Sequence, residues 1–157
     1  MKKNFLSLAG CILLCLGTGL IGSAFTTPAI GSWFIYLHKP VFSPPNWLFA
    51  PVWTLLYILM GIALFLVFRK TKENKLAALG SLIFVIHLIL NASWSIIFFG
   101  FKMIPLAFTN IVLLWLLIVF LIFAFWRVDK RASMLLWPYL IWVSFASVLN
   151  YYLMILN

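Results

Sequence analysis

Few side chains in this sequence can do chemistry, and most of those are aromatic or carry an amide. His87, Asn91 and Ser95 recur at intervals of four, with Trp94 beside them. On a helix that interval puts all three on one face. Polar groups on an otherwise apolar helix must pair or line a cavity. The stripe is therefore either a set of hydrogen bonds between helices or a wall that hydrogen-bonds a mostly apolar ligand. Trp142, Ala146 and Asn150 repeat the interval. An indole, a small residue and an amide in that order make a slot for a planar molecule, or else a knob, a hole and a helix-tying bond.

Other chemistries lack their residues. The two histidines, His38 and His87, lie in different elements and Cys11 and Cys15 in a third, which gives neither a metal site nor bis-histidine haem ligation. Glu73 and Asp129 are the only acids and both fall outside the apolar runs. No Ser–His–acid set and no intramembrane carboxylate for proton-coupled transport can form. Phosphate loops and nucleic-acid modules are absent from the sequence. No cofactor is expected. An aromatic cavity with a few amides is the equipment of a binder.

The elements that must position these residues follow from composition. Of 157 residues 66% are hydrophobic and 8% charged, against roughly 45–50% and about 25% in soluble domains. So small a soluble fold has too little interior to hide that much apolar surface. The chain is an all-α integral membrane protein, a single domain over residues 1–157 built as a five transmembrane helix bundle. Its spans are expected at about 5–25, 47–68, 76–99, 104–126 and 134–155, each near the ~20 residues that cross a bilayer. Continuous apolar runs exclude transmembrane strands, which alternate. Pro51 and Pro138, each about one turn into a span, are expected to bend their helices modestly.

A formal net charge of +9 would suggest nucleic acid if it were spread over a soluble surface. Here the basic residues cluster between spans, as topology signals and partners for lipid headgroups. Nine of the eleven, from Lys2 and Lys3 to Arg127, Lys130 and Arg131, fall on one side; Lys39 and Lys102 fall on the other. The N-terminus is therefore expected inside and the C-terminus outside. For a prokaryotic source this is the bacterial inner membrane, for a eukaryotic one the mitochondrial outer membrane. The first run also has features of a signal peptide and of a lipoprotein cleavage box, but its length favours an uncleaved span.

Two further features stand out. Ser7, Cys11, Cys15, Gly19 and Ser23 form a small-residue stripe on the first span, which suits close packing within the chain or a homodimer seam. The long outer connection, about 26–46, holds Trp33, Phe34, Tyr36, His38, Phe42 and four prolines. A segment so aromatic and stiff is either an interfacial belt or a lid over a pocket.

Several motifs are specific in combination. Trp33, Leu37, Lys39-Pro40, Pro44-Pro45, Trp47, Pro51-Val52-Trp53, Tyr57 and Met60-Gly61 are followed by Asn91, Trp94 and Phe98-Phe99-Gly100. Pro138-Tyr139-Leu140, Trp142, Phe145-Ala146 and Leu149-Asn150-Tyr151 complete the set. In order and spacing the chain resembles the translocator protein (TspO) family over essentially its whole length. The resemblance implies a five-helix bundle, often dimeric, that binds porphyrins such as protoporphyrin IX and related hydrophobic ligands, in tetrapyrrole transport or stress sensing. Carried over by position, the pocket comprises Ala24, Phe49, Ala50, Trp53, Asn91, Trp94, Leu113, Trp142, Ala146 and Leu149; the residue patterns add Trp33 and Asn150. Trp53 and Trp142 match the tryptophans implicated in light-dependent porphyrin breakdown, and would be the catalytic pair if this chain does that chemistry. A purely structural or partner-binding subunit is the further alternative.

Two departures temper the resemblance. Leu149 and Tyr151 begin the family's sterol motif, but no basic residue follows before Asn157, so the motif is incomplete and leaves sterol recognition open. Leu106 and Asn110 stand where family members carry a pocket tryptophan and an aspartate, which points to different ligand preferences.

Overall fold

A computed structural model describes residues 2–157, with Met1 and the side chains of Lys2 and Lys3 outside the described residues. Among those described, five helices are long and apolar enough to cross a membrane, and no strand is present. They are α1 (Lys2–Ile30), α2 (Phe49–Phe68), α3 (Lys75–Ser95), α4 (Ile104–Val128) and α5 (Lys130–Leu156). With its spans packed around a shared core, the chain is an integral, multi-pass membrane protein.

The boundaries differ from the expected ones for local reasons. α1 runs on past residue 25 to Ile30 with Pro28 inside it, and the Thr26 hydroxyl donates to the Gly22 carbonyl at 3.0 Å. The outer connection is correspondingly shorter, and Pro28 belongs to the helix. Pro51 sits in the first turn of α2, where its N–H has no intrahelical partner to lose. Pro138 lies deeper inside α5 than expected, because that helix starts at Lys130. Asp129 sets that start: its carboxylate accepts from the Arg131 N–H at 3.0 Å as an N-cap. Asn74 caps α3 in the same way, through Leu76 and Ala77. The π-helical segment Ile96–Gly100, which extends α3, was not legible in the sequence.

The helices pack in a closed ring in the order α1, α2, α5, α4, α3 and back to α1. Glycine permits the closest approach. A Cβ on Gly61 would lie 2.6 Å from the Cα of Ile12, so α2 meets the α1 backbone directly. One on Gly19 would strike the Tyr57 ring. Cys15 is fully buried in the same seam, so this stretch of the small-residue stripe packs within the chain.

The two ends of the ring are chemically unlike. At one, Lys70 Nζ donates to Asp129 Oδ2 and to the Val128 carbonyl, both at 2.9 Å, fastening the α2–α3 link to the α4–α5 junction. At the other, the outer connection folds back on the bundle. Phe34 is buried against Phe98 and Phe99, and Phe42 packs edge-on against Phe145 and Tyr152. The Asn157 amide clasps the His38 backbone, accepting from its N–H at 2.9 Å and donating to its carbonyl at 3.0 Å.

Candidate functional site

Inside the ring, toward the end carrying the outer connection, lies a cavity of about 550 Å³ to which all five helices contribute. This is a normal size for a small-molecule site. α2 supplies Phe49, Ala50, Trp53 and Tyr57; α3 supplies Asn91, Trp94 and Ser95; α5 supplies Trp142, Ala146, Leu149 and Asn150. Gly19 and Gly22 of α1 face it without side chains, and the π-helical segment adds Phe98 and Phe99. Phe34, from the outer connection, closes it. Nine of the twelve expected ligand residues thus meet around one space.

The other three do not reach it. Leu113 is 49% exposed on the outside of α4, while Leu114 beside it lines the cavity; successive helical residues point about 100° apart. Ala24 lies on the exposed face of α1, next to cavity-lining Ser23. Trp33 stands behind the wall, edge-on to Phe98 at 5.6 Å. Leu106 is also half-exposed and outside the lining. Asn110 is buried, with an Oδ1 that has no protein partner.

The aromatic walls are held by one another. Trp53 lies 5.5 Å from Tyr57 and 6.1 Å, edge-on, from Tyr139. Phe49 meets Trp142 edge-on at 5.9 Å, and Trp94 stacks on Phe98 at 5.1 Å. Such pairs add modestly to burial and fix ring orientation. The indoles are thereby set as rigid surfaces before any ligand arrives.

Beneath them runs a buried polar chain. The Tyr57 hydroxyl donates to Asn91 Oδ1 at 2.6 Å, and Asn91 Nδ2 donates to Tyr139 Oη at 2.9 Å. Tyr139 Oη lies 2.8 Å from Nε2 of the fully buried His87. The stripe of His87, Asn91 and Ser95 thus both ties helices and faces the cavity. Asn150 is more fully engaged: it accepts from Trp94 Nε1 at 3.0 Å and donates to the Ile104 carbonyl at 3.4 Å. Trp142 Nε1 is buried and without a protein partner, although its residue lines the cavity. An unpaired buried indole N–H is costly.

Sequence reasoning gave Tyr57 and Tyr139 no role at the site. The signal was spacing: Tyr57 is four residues after Trp53 and Tyr139 three before Trp142, so each shares a helix face with a cavity tryptophan. Phe98 and Phe99 depend on the π-helical segment and had no comparable signal.

At the far end of the ring, partial burial raises the Asp129 pKa, but bonds from Lys70 and from the backbone N–H groups of Arg131 and Ala132 outweigh it, leaving the carboxyl below its usual value of 3.8. That charge is structural and remote from the cavity.

Comparison with known proteins places this architecture. The sequence matches the TspO/MBR family over residues 11–156. It is 49% identical to the tryptophan-rich protein TspO of Chlorobaculum tepidum, across all of this chain and 99% of that one. It is 41% identical to the tryptophan-rich protein TspO of Archaeoglobus fulgidus, across 98% of this chain and 99% of the relative. With the translocator protein of Homo sapiens it shares 34% identity, across 83% of this chain and 78% of the other. The match spans the five helices and every cavity residue named above, and the chain belongs to the TspO/MBR family.

Proposed function

We propose that this protein is a membrane receptor for flat, largely apolar tetrapyrroles such as protoporphyrin IX, acting in their sensing or transport. The observation that carries the reading is the cavity itself: a single space walled by Trp53, Trp94, Trp142, Phe49 and Phe98, with the Asn91 amide at its polar edge. Rigid indole and phenyl faces suit a planar macrocycle. A purely structural subunit would gain nothing from such a space, since unfilled volume in a core is destabilising. The names of the tryptophan-rich and translocator relatives agree with a sensing or carrying role.

The nine-to-two asymmetry of basic residues supports an N-terminus in the cytoplasm. The Chlorobaculum and Archaeoglobus relatives favour a prokaryotic cytoplasmic membrane. The test of binding is a dark titration of the protein in nanodiscs, read by the shift of the porphyrin absorption band against empty discs. A saturable, stoichiometric shift supports the receptor. A linear response equal to that of empty discs rules it out.

A second reading, light-dependent porphyrin degradation, is favoured by the packing of Trp53 within 6.1 Å of both Tyr57 and Tyr139. Aromatic neighbours at that range can supply an electron to an oxidised indole. It predicts oxygen- and light-dependent bleaching that Trp142→Phe abolishes while binding persists. Equal bleaching in protein-free micelles would sink it.

A further inference from the structure

We infer that Tyr139 and His87 form a redox-active pair behind Trp53. When a photoexcited tetrapyrrole takes an electron from the Trp53 indole, Tyr139 replaces it and passes its phenolic proton to His87. The inference rests on the light-dependent reading above and gives the buried pair a task beyond tying helices.

Trp53 lines the cavity, and Tyr139 lies behind it, edge-on, with 6.1 Å between ring centroids. An electron crosses such a gap between rings directly, but a proton must move along a hydrogen bond. Tyr139 Oη has that bond, 2.8 Å from His87 Nε2, inside the roughly 2.6–3.2 Å reach of a proton transfer. The two rings meet edge-on at 5.3 Å, and Asn91 Nδ2 also donates to the phenolic oxygen, at 2.9 Å. In this assignment the resting imidazole carries its hydrogen on Nδ1, which leaves Nε2 free to accept.

Tyr57 is nearer to Trp53, at 5.5 Å, but it is not equivalent. Its hydroxyl donates to Asn91 Oδ1, an amide oxygen that accepts hydrogen bonds but is too weak a base to keep a proton. Oxidising Tyr57 would strand that proton on the phenol, and a protonated phenol is much harder to oxidise. Of the two tyrosines beside Trp53, the one bonded to an imidazole is Tyr139.

The photoexcited tetrapyrrole takes one electron from Trp53 and hands it to dioxygen, which becomes superoxide, so the tetrapyrrole itself is unchanged. One electron then moves from Tyr139 to the indole radical cation, while the phenolic O–H bond breaks and an N–H bond forms on His87. The products are a restored indole, a neutral tyrosyl radical and an imidazolium, whose single positive charge balances the superoxide. An imidazolium is costly at that depth. The proton therefore returns to the phenolic oxygen when superoxide, or another one-electron reductant, returns the electron.

Burial gives the pair its use. Tyr139 is 1% exposed and His87 0%, whereas Trp53 stands in the cavity wall. A radical on Trp53 is open to dioxygen and superoxide, and one on Tyr139 is shielded from both by close packing. The pair thus draws the oxidising equivalent inward before the indole is oxygenated.

The test is electron paramagnetic resonance of the protein in nanodiscs, saturated with protoporphyrin IX and frozen under illumination in air. Samples carry ring-deuterated tyrosine or ring-deuterated tryptophan, so the label that narrows the signal identifies the radical. Wild type is expected to give a signal narrowed by deuterated tyrosine. Tyr139→Phe should lose it and give one narrowed by deuterated tryptophan, with Trp53 converted to kynurenine-type products in peptide mass spectra. Tyr57→Phe should keep a tyrosyl signal. His87→Gln, which retains a hydrogen-bonding group but no base, should lose it. The porphyrin absorption shift in the dark shows that each variant is folded and loaded.

A wild-type signal narrowed only by deuterated tryptophan, or no signal while bleaching proceeds, would overturn the pair and leave the light-dependent reading standing. So would a tyrosyl signal that survives Tyr139→Phe or His87→Gln. No radical and no bleaching beyond that of empty discs would remove that reading and the pair together.

Discussion

Tyr139 Oη lies 2.8 Å from His87 Nε2, and both residues are essentially inaccessible to solvent. Asn91 donates to Tyr139 Oη, and the same oxygen shares its other hydrogen bond with His87 Nε2. The chain Tyr57, Asn91, Tyr139, His87 thus joins α2, α3 and α5 beneath the cavity and fixes which way the Asn91 amide faces.

Tyr139→Phe removes one hydroxyl that serves two partners. Asn91 Nδ2 and His87 Nε2 would be left without it, at a cost of about 1–3 kcal/mol. The expected result is a lower thermal unfolding midpoint in detergent. Weaker porphyrin binding should accompany it, because the Asn91 amide is free to turn. A midpoint equal to wild type would show that the chain does not stabilise the bundle.

Gly61 has no room for a side chain, since its added Cβ would fall 2.6 Å from the Ile12 Cα. Gly61→Ala must push α1 from α2, and overpacking of this kind costs about 1–3 kcal/mol. Gly10, with nothing within 4 Å of its added Cβ, is the matched control, and Gly10→Ala should be neutral or slightly stabilising. Both are read by thermal denaturation in the same detergent.

The Lys70–Asp129 pair should show a defined acid limit. The Asp129 carboxyl is held below its usual value in the folded protein. Its contribution is therefore complete above the unfolded value of 3.8 and is lost as pH falls through the lower folded value. Asp129→Asn keeps a capping oxygen for the Arg131 N–H but removes the charge. It should cost about 1 kcal/mol or less, given the partial exposure of Lys70, and abolish this component of the acid dependence. Denaturation midpoints at neutral pH and near pH 3 measure both effects.

The clasp between Asn157 and the His38 backbone holds the outer connection down over Phe34. Asn157→Ala should free it, raising amide exchange around His38. If that connection is a lid, ligand association and dissociation should both accelerate, with little change in Kd. Faster exchange without faster binding would make the segment a fixed belt.

Much of this organisation could be read from residue types. Five charge-free apolar runs set the helix count, and the four-residue stripes in α3 and α5 identified faces that do meet at the cavity. What escaped depends on rotation and on tertiary contact. Leu113 and Leu114 differ by one position and face opposite environments, a distinction that carry-over by alignment does not test. Pro28 was counted with the prolines of the outer connection, yet α1 continues through it to Ile30. The π-helical turn that brings Phe98 and Phe99 to the wall has no periodic signature, since its single extra residue per turn spans only Ile96–Gly100.

The central claim is that one aromatic cavity holds a tetrapyrrole between Trp53 and Trp142. Its most direct measurement is dark tryptophan-fluorescence quenching by protoporphyrin IX, comparing wild type with Trp53→Phe and Trp142→Phe in nanodiscs. Saturable quenching is predicted, with the apparent Kd raised about five- to thirtyfold in each variant, equivalent to about 1–2 kcal/mol of lost indole contact. Saturable quenching unchanged by either substitution would put the ligand elsewhere on the bundle and contradict the assignment of this cavity.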